Sequence, residues 1–269
     1  MDGHRHAVTS ADGTEIGLLT AGDGPPLLLV HGGMGCIASW QPIWGALTER
    51  WRVTAMDRRG RGSSGDTGRY DIRREFEDVA AAALSLAGDG AVDVFGHSFG
   101  ALCALGAAAG GAPVRRLALY EPPGPQTVPR EWRGRMTAMI AEGRPGAAML
   151  DFLTEIVGLT AEQVSALRSA PRSYDVLPIV SATMPREAQA LAEVDLTALA
   201  AGVPGRVSPV LLILGSASPA WAHDITSELA AALPRTTLAV LDGQGHDAID
   251  STPAALAGRL EQFFGPPAQ

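Results

Sequence analysis

The sequence predicts an α/β fold built on a mostly parallel sheet of about eight strands, with helices on both faces and an inserted helical cap. Short apolar runs bounded by Gly and Pro alternate with longer Ala- and Leu-rich stretches, as buried parallel strands and their crossover helices do. The alternation lapses once, between residues 122 and 205, and resumes afterwards. That lapse is the reason to expect an insert rather than a continuous array.

Taken in order, strands are expected over 26–30, 52–56, 91–95, 114–120, 209–214 and 236–241. A further pair, 7–9 and 15–19, flanks Asp12-Gly13, a turn signal that favours a two-residue hairpin. Helical spacing over 72–86 puts Ile72, Phe76, Val79, Ala83 and Leu86 on one face, while 101–109 is a helix of small residues suited to close burial. The insert opens on Pro122, Pro123, Pro125 and Pro129 and ends near Gly202 and Gly205, all boundary residues. Inside it, 132–141, 146–157 and 161–169 read as helices, the last behind a capping box from Thr160 to Gln163. The expected organisation is a core of 1–121 and 206–269 with a cap of 122–205.

Composition removes several chemistries. All 21 basic residues are arginine, so Schiff-base catalysis, pyridoxal phosphate and the lysine of a Walker-type phosphate loop are excluded. Cys36 and Cys103 are too few for a disulfide framework and match no zinc spacing, which suits a reducing cytoplasm. The net charge of −8 argues against nucleic acid as a partner, since the densest basic cluster is Arg58, Arg59 and Arg61. The N-terminal stretch is polar and no apolar run approaches the ~18 residues that span a bilayer, so no membrane partner is expected. No cofactor or metal is expected, and nothing in the sequence bears on oligomeric state.

Gly96-His97-Ser98-Phe99-Gly100 follows one expected strand and precedes a helix. Glycines on either side let strand and helix close through a strained turn that projects the serine hydroxyl, the arrangement of a nucleophile elbow. His31-Gly32-Gly33-Met34-Gly35 follows another strand, and a backbone free of side chains there can aim an N–H at a developing oxyanion. A tight βα turn without a catalytic role is the alternative. Gly60-Arg61-Gly62-Ser63-Ser64-Gly65 spells a dinucleotide-binding pattern, but Asp66-Thr67-Gly68 follows where a helix would have to open.

These segments, with Asp57-Arg58-Arg59-Gly60-Arg61-Gly62-Ser63-Ser64 and Gly243-Gln244-Gly245-His246, resemble the α/β-hydrolase fold superfamily over nearly the whole chain. The resemblance implies Ser98 as nucleophile, His246 as general base, and the N–H groups of Gly33 and Phe99 as oxyanion donors. Of the other histidines, His4 and His6 sit in a polar terminal segment and His31 holds a position that is usually structural in such proteins. His97 is expected to point away from the site, and His223 starts a helix.

The acid departs from the family pattern. Where an aspartate usually follows the strand after the cap, this chain reads Gly215-Ser216-Ala217-Ser218-Pro219. The Ser218 hydroxyl could accept a hydrogen bond from imidazole but could not stabilise an imidazolium. Glu121, closing a strand in Tyr120-Glu121-Pro122-Pro123, is the expected replacement. Some α/β-hydrolases, a haloalkane dehalogenase subgroup among them, are similar in carrying the acid there, and others pair Tyr-Glu-Pro-Pro with the later serine. Glu121 could instead be a solvated carboxylate or a partner for a loop arginine, with Asp224, Asp242 and Asp247 as fallbacks.

The expected activity is acyl transfer to water: a Ser98-His246-Glu121 triad and an acyl-enzyme on a small or medium apolar ester, thioester or related carbonyl compound. The cap residues Met136, Met139, Met149, Phe152, Tyr174 and Met184 suggest an adaptable pocket or, equally, the packed core of the cap, with Met34, Trp132 and Trp221 as further pocket candidates. The same residues could serve carbon–carbon cleavage, perhydrolysis or a cofactor-free lyase or cyclase step in secondary metabolism, or a ligand-binding protein without turnover.

Overall fold

The computed structural model describes residues 1–169, 176–233 and 235–265. Its elements are β1 (His4–Thr9), β2 (Glu15–Ala21), β3 (Pro26–Val30), α1 (Gln41–Thr48), β4 (Arg52–Met56), α2 (Ile72–Ala87), β5 (Val92–His97), α3 (Phe99–Ala109) and β6 (Val114–Tyr120). Then follow α4 (Arg130–Ala141), α5 (Pro145–Asp151), a π turn over Phe152–Ile156, α6 (Ala161–Ser169), α7 (Val176–Leu191) and α8 (Leu196–Gly202). The chain closes with β7 (Val210–Gly215), α9 (Ala220–Ala232), β8 (Thr236–Leu241), α10 (Ala248–Ser251) and α11 (Pro253–Phe264).

One sheet holds all eight strands in the order β1-β2-β4-β3-β5-β6-β7-β8. β2 runs antiparallel to β1 and β4, and every later pairing is parallel. Because side chains alternate faces, each central strand feeds two cores. Leu28, Val30, Val94, Leu119 and Leu212 pack with Val79 of α2, Leu102 of α3, Ala200 of α8 and Ile225 of α9. Leu27, Leu29, Phe95, Ala118 and Ile213 pack with Ile43 of α1 and Leu256 and Leu260 of α11. Of the expected face of α2, Val79 and Ala83 are buried and Ile72, Phe76 and Leu86 pack at its margin.

Three expectations need correction. The first hairpin is not a two-residue turn: Ser10 N–H donates to Thr14 O at 2.8 Å, closing a wider loop. Asp12 Oδ1 accepts from Thr14 N–H at 3.1 Å, an Asx turn that uses the side chain where a tight turn would use the backbone. β5 runs on to His97 because its ladder continues through His97↔Tyr120. Between β6 and β7 stand two helices beyond the three expected, α7 and α8, and 146–157 divides into α5 and the π turn. The capping box at α6 is as expected, with Thr160 N–H to Gln163 Oε1 at 2.8 Å and Gln163 N–H to Thr160 Oγ1 at 3.2 Å. Among the described residues no helix is long and apolar enough to cross a membrane.

Candidate active site

The carboxyl ends of β3, β5, β6 and β7 meet at one point, and the glycines explain how closely. A Cβ on Gly100 would lie 2.2 Å from Val30 O, and one on Gly96 2.6 Å from the Ala101 Cα. α3 therefore sits tight against β3 and β5, and Ser98 occupies the turn between with φ 53°. Glu121 takes φ 46° at the end of β6. Non-glycine residues avoid this region, at a cost of about 1–3 kcal/mol each, so both conformations are imposed by the surrounding sheet. The Ser98 N–H donates to Tyr120 O at 2.8 Å, and the Glu121 N–H to Ile213 O at 3.2 Å.

Glu121 is fully buried, and its carboxylate joins the histidine loop to the loop after β7. Oε2 lies 2.6 Å from His246 Nδ1. Oε1 accepts from the Gly215 N–H at 2.7 Å and from the Ser218 hydroxyl at 2.6 Å. Glu121 is thus neither solvated nor paired with an arginine. Ser218 does not accept from the imidazole; it donates to the carboxylate that does. Ser218, where the family pattern places an aspartate, thus holds the Glu121 carboxylate as a donor.

The loop carrying His246 is held from β5 and β6. The Tyr120 hydroxyl donates to Gly245 O and accepts from the Ala248 N–H at 3.3 Å. His97 corrects the expectation that it points elsewhere: its Nε2 donates to His246 O at 3.0 Å, and its ring lies 4.8 Å from that of His246. The Trp221 ring meets His246 edge-on at 5.3 Å, anchored by its indole N–H to Ile156 O at 2.8 Å. Asp247 neighbours His246 without contacting its ring nitrogen, and Asp242 accepts from Ser216 Oγ at 3.2 Å.

The oxyanion-loop candidate is oriented by charge. Gly32 O accepts from His31 Nδ1 at 2.9 Å and Arg58 Nη1 at 3.2 Å, and Gly33 O accepts from Arg61 Nη2. In a trans peptide the N–H points opposite its own carbonyl, so the Gly33 N–H is directed away from Arg58. Arg58 is fully buried, forked onto Glu75 at 2.7 and 2.9 Å and stacked 4.4 Å over the Phe99 ring. In the loop after β4, Asp57 accepts from Ile37 N–H, Ser63 N–H and the Ser63 hydroxyl, and α2 does not begin until Ile72. Among the described residues no helix begins directly after the Gly60–Gly65 pattern.

Gly33, Met34, His97, Ser98, Phe99, Trp132, Phe152, Met184, Glu187, Trp221 and His246 line one cavity of about 180 Å³. Met136 and Met139 do not. Met136 lies one helical turn beyond Trp132 and is buried behind it in the core. Met139 lines a separate outer groove with Ala147 and Leu150. Met149 packs against the core at the cavity's margin. Tyr174 lies outside the described residues. The lining residues missed by sequence reading include Glu187, Ala188 and Leu191 of α7 and the Leu153–Leu159 stretch. The buried Trp132 indole N–H has no partner among the described residues.

Two buried histidines stay neutral in the fold. His31 accepts from the Arg58 N–H at its Nε2, at 3.1 Å, so its proton sits on Nδ1. Burial first, then the Arg58 charge, holds His31 well below the usual histidine range; burial and His246 do the same for His97. Both would bind a proton in the unfolded chain below about pH 6.5 but not in the native one, so stability falls as pH drops through that value. Each is expected to contribute about 1.4 kcal/mol per pH unit to the loss. Urea unfolding between pH 7 and 5.5 tests this: His97→Gln should flatten the slope by one such increment, and parallel slopes would refute it.

A solved α/β hydrolase from Sphaerobacter thermophilus is 38% identical, with a TM-score of 0.82 over 96% of this chain and all of that one. The enol-lactonase from Burkholderia xenovorans has a TM-score of 0.77 at 22% identity, covering 97% of this chain and all of its own. The pimeloyl-[acyl-carrier protein] methyl ester esterase of Aliivibrio salmonicida is 26% identical over 262 residues, 92% of this chain and 95% of that one. A model of the Alpha/beta hydrolase family matches residues 27–259, from β3 through the elbow and the His246 loop into α11; the chain belongs to that family.

Proposed function

We propose that the protein is a serine hydrolase acting through an acyl-enzyme, with Ser98 as nucleophile, His246 as general base and Glu121 as the acid. The observation that carries the reading is the 2.6 Å contact between Glu121 Oε2 and His246 Nδ1, with Ser98 and His246 lining the same cavity. A carboxylate on Nδ1 keeps the proton there, leaving Nε2 free to take the Ser98 proton, and stabilises the imidazolium that results. The Gly33 and Phe99 N–H groups receive the charge that develops on the carbonyl oxygen. Proton return from His246 to the leaving group yields the acyl-enzyme, and water attacks it with His246 again as base.

The helices between β6 and β7 act as a cap of 122–205 over a core of 1–121 and 206–269. The cavity, with Trp132, Phe152, Ile156 and Met184 in its wall, suits a small or medium ester, thioester or related carbonyl compound. The Glu121 carboxylate beside His246 supports turnover over ligand binding alone. A fluorophosphonate should add one adduct per chain, on the peptide containing Ser98. Labelling elsewhere, or none, overturns the reading.

A further inference from the structure

Arg58 and Arg61 bring two guanidinium charges into the core beneath the oxyanion loop, and buried charges require partners. Glu75 forks onto Arg58. The second carboxylate comes from α7, far along the chain: Glu187 Oε1 accepts from Arg58 Nη2 and from Arg61 Nη2, both at 2.6 Å. One oxygen of Glu187 is therefore committed to the core.

The other oxygen is not. Among the described residues nothing donates to Oε2, which lies 3.5 Å from where a Cβ on Gly33 would sit. Gly33 and Glu187 both line the cavity. Oε2 is thus an unpartnered acceptor against the residue whose N–H is assigned to the oxyanion. Glu187 is 5% exposed and lines the cavity, so solvent meets Oε2 until a bound group supplies a donor in its place. Asp247 and Asp250 are the other carboxylates in the lining, no arginine is among the described lining residues, and the chain has no lysine. No arginine or lysine among the described lining residues would pair with a substrate carboxylate.

We propose that Glu187 Oε2 is a specificity-determining substrate contact, and that the preferred substrate carries a hydrogen-bond donor, ammonium or neutral N–H or O–H, near the reacting carbonyl. The proposal rests on the serine-hydrolase reading. If Glu187 were only a counter-ion, it would stabilise the fold without ranking ligands.

Arylboronic acids, which bond reversibly through boron to a nucleophilic serine oxygen, separate these cases. Aminomethyl, hydroxymethyl, ethyl and carboxyl phenylboronic acids, each in ortho, meta and para forms, would be compared as inhibitors of p-nitrophenyl acetate hydrolysis. At one ring position or more, the aminomethyl or hydroxymethyl compound should inhibit at least tenfold more tightly than the ethyl compound, with the carboxyl compound weakest. In Glu187→Gln the amide oxygen remains with the arginines and its NH2 replaces Oε2, so the carboxyl compound should overtake the aminomethyl one. Ratios within one variant do not depend on its active fraction, and the wild-type order decides should the variant not fold. An ethyl compound that matches the donors at every position, or an order unchanged by Glu187→Gln, overturns the proposal. Failure of every boronate, unsubstituted phenylboronic acid included, would instead overturn the serine-hydrolase reading, and this proposal with it.

Discussion

Replacing Ser98 with alanine is expected to cut kcat by about 10⁶-fold while leaving substrate binding and the fold in place. The hydroxyl is the only atom removed, so the 53° φ of the elbow asks no more of alanine than of serine. The backbone bond from residue 98 to Tyr120 O is also retained. On the proposed mechanism, what disappears is the group that divides one difficult displacement into two easier ones. The oxyanion donors and the cavity remain, so residual turnover about 10³–10⁴-fold above water is expected rather than none. Pre-steady-state hydrolysis of p-nitrophenyl acetate checks this directly: the wild type should release a burst of one nitrophenolate per chain, and Ser98→Ala none. A burst that survives in the variant would place the nucleophile elsewhere.

What was legible in advance was whatever forces the backbone into an unusual path. Gly96 and Gly100 announce the elbow because a Cβ at either would collide with main chain. The gap at Ser218 was equally informative, since a base without a carboxylate directs attention to Glu121, and the two positions prove to be 2.6 Å apart. Contacts that depend on helical register across a long chain separation were not legible. Glu187 reaches Arg61 over 126 residues, from a helix that contains Pro185 and so resembles a boundary in sequence. Composition points to Met136 and Met139 but does not say which face of α4 meets the cavity. An elbow residue carries no sequence signal for the loop it supports: His97 holds the backbone of His246, 149 residues away.

Glu121→Gln is expected to lower kcat by about 10⁴-fold with little change in stability, for a reason specific to this carboxylate's surroundings. Oε1 is met by two donors, the Gly215 N–H and the Ser218 hydroxyl. A glutamine must keep its carbonyl oxygen there, since turning the amide over would oppose its NH2 to the backbone N–H. The NH2 then occupies the place of Oε2 and donates to His246 Nδ1. That drives the imidazole proton to Nε2, the nitrogen that has to receive the Ser98 proton, so the base is held in the wrong tautomer. The defect should shrink as pH rises, because hydroxide can substitute for a missing base, whereas a merely structural lesion would not follow pH in this way. Ser218→Ala leaves one donor on Oε1 and should cost far less, about tenfold, by loosening the carboxylate. Asn substitutions at Asp224, Asp242 and Asp247 should leave kcat within about threefold, since none reaches the imidazole nitrogen that Glu121 holds. A 10⁴-fold loss in any of those three, with Glu121→Gln near wild type, would move the acid to that residue and leave Glu121 as scaffolding for the His246 loop.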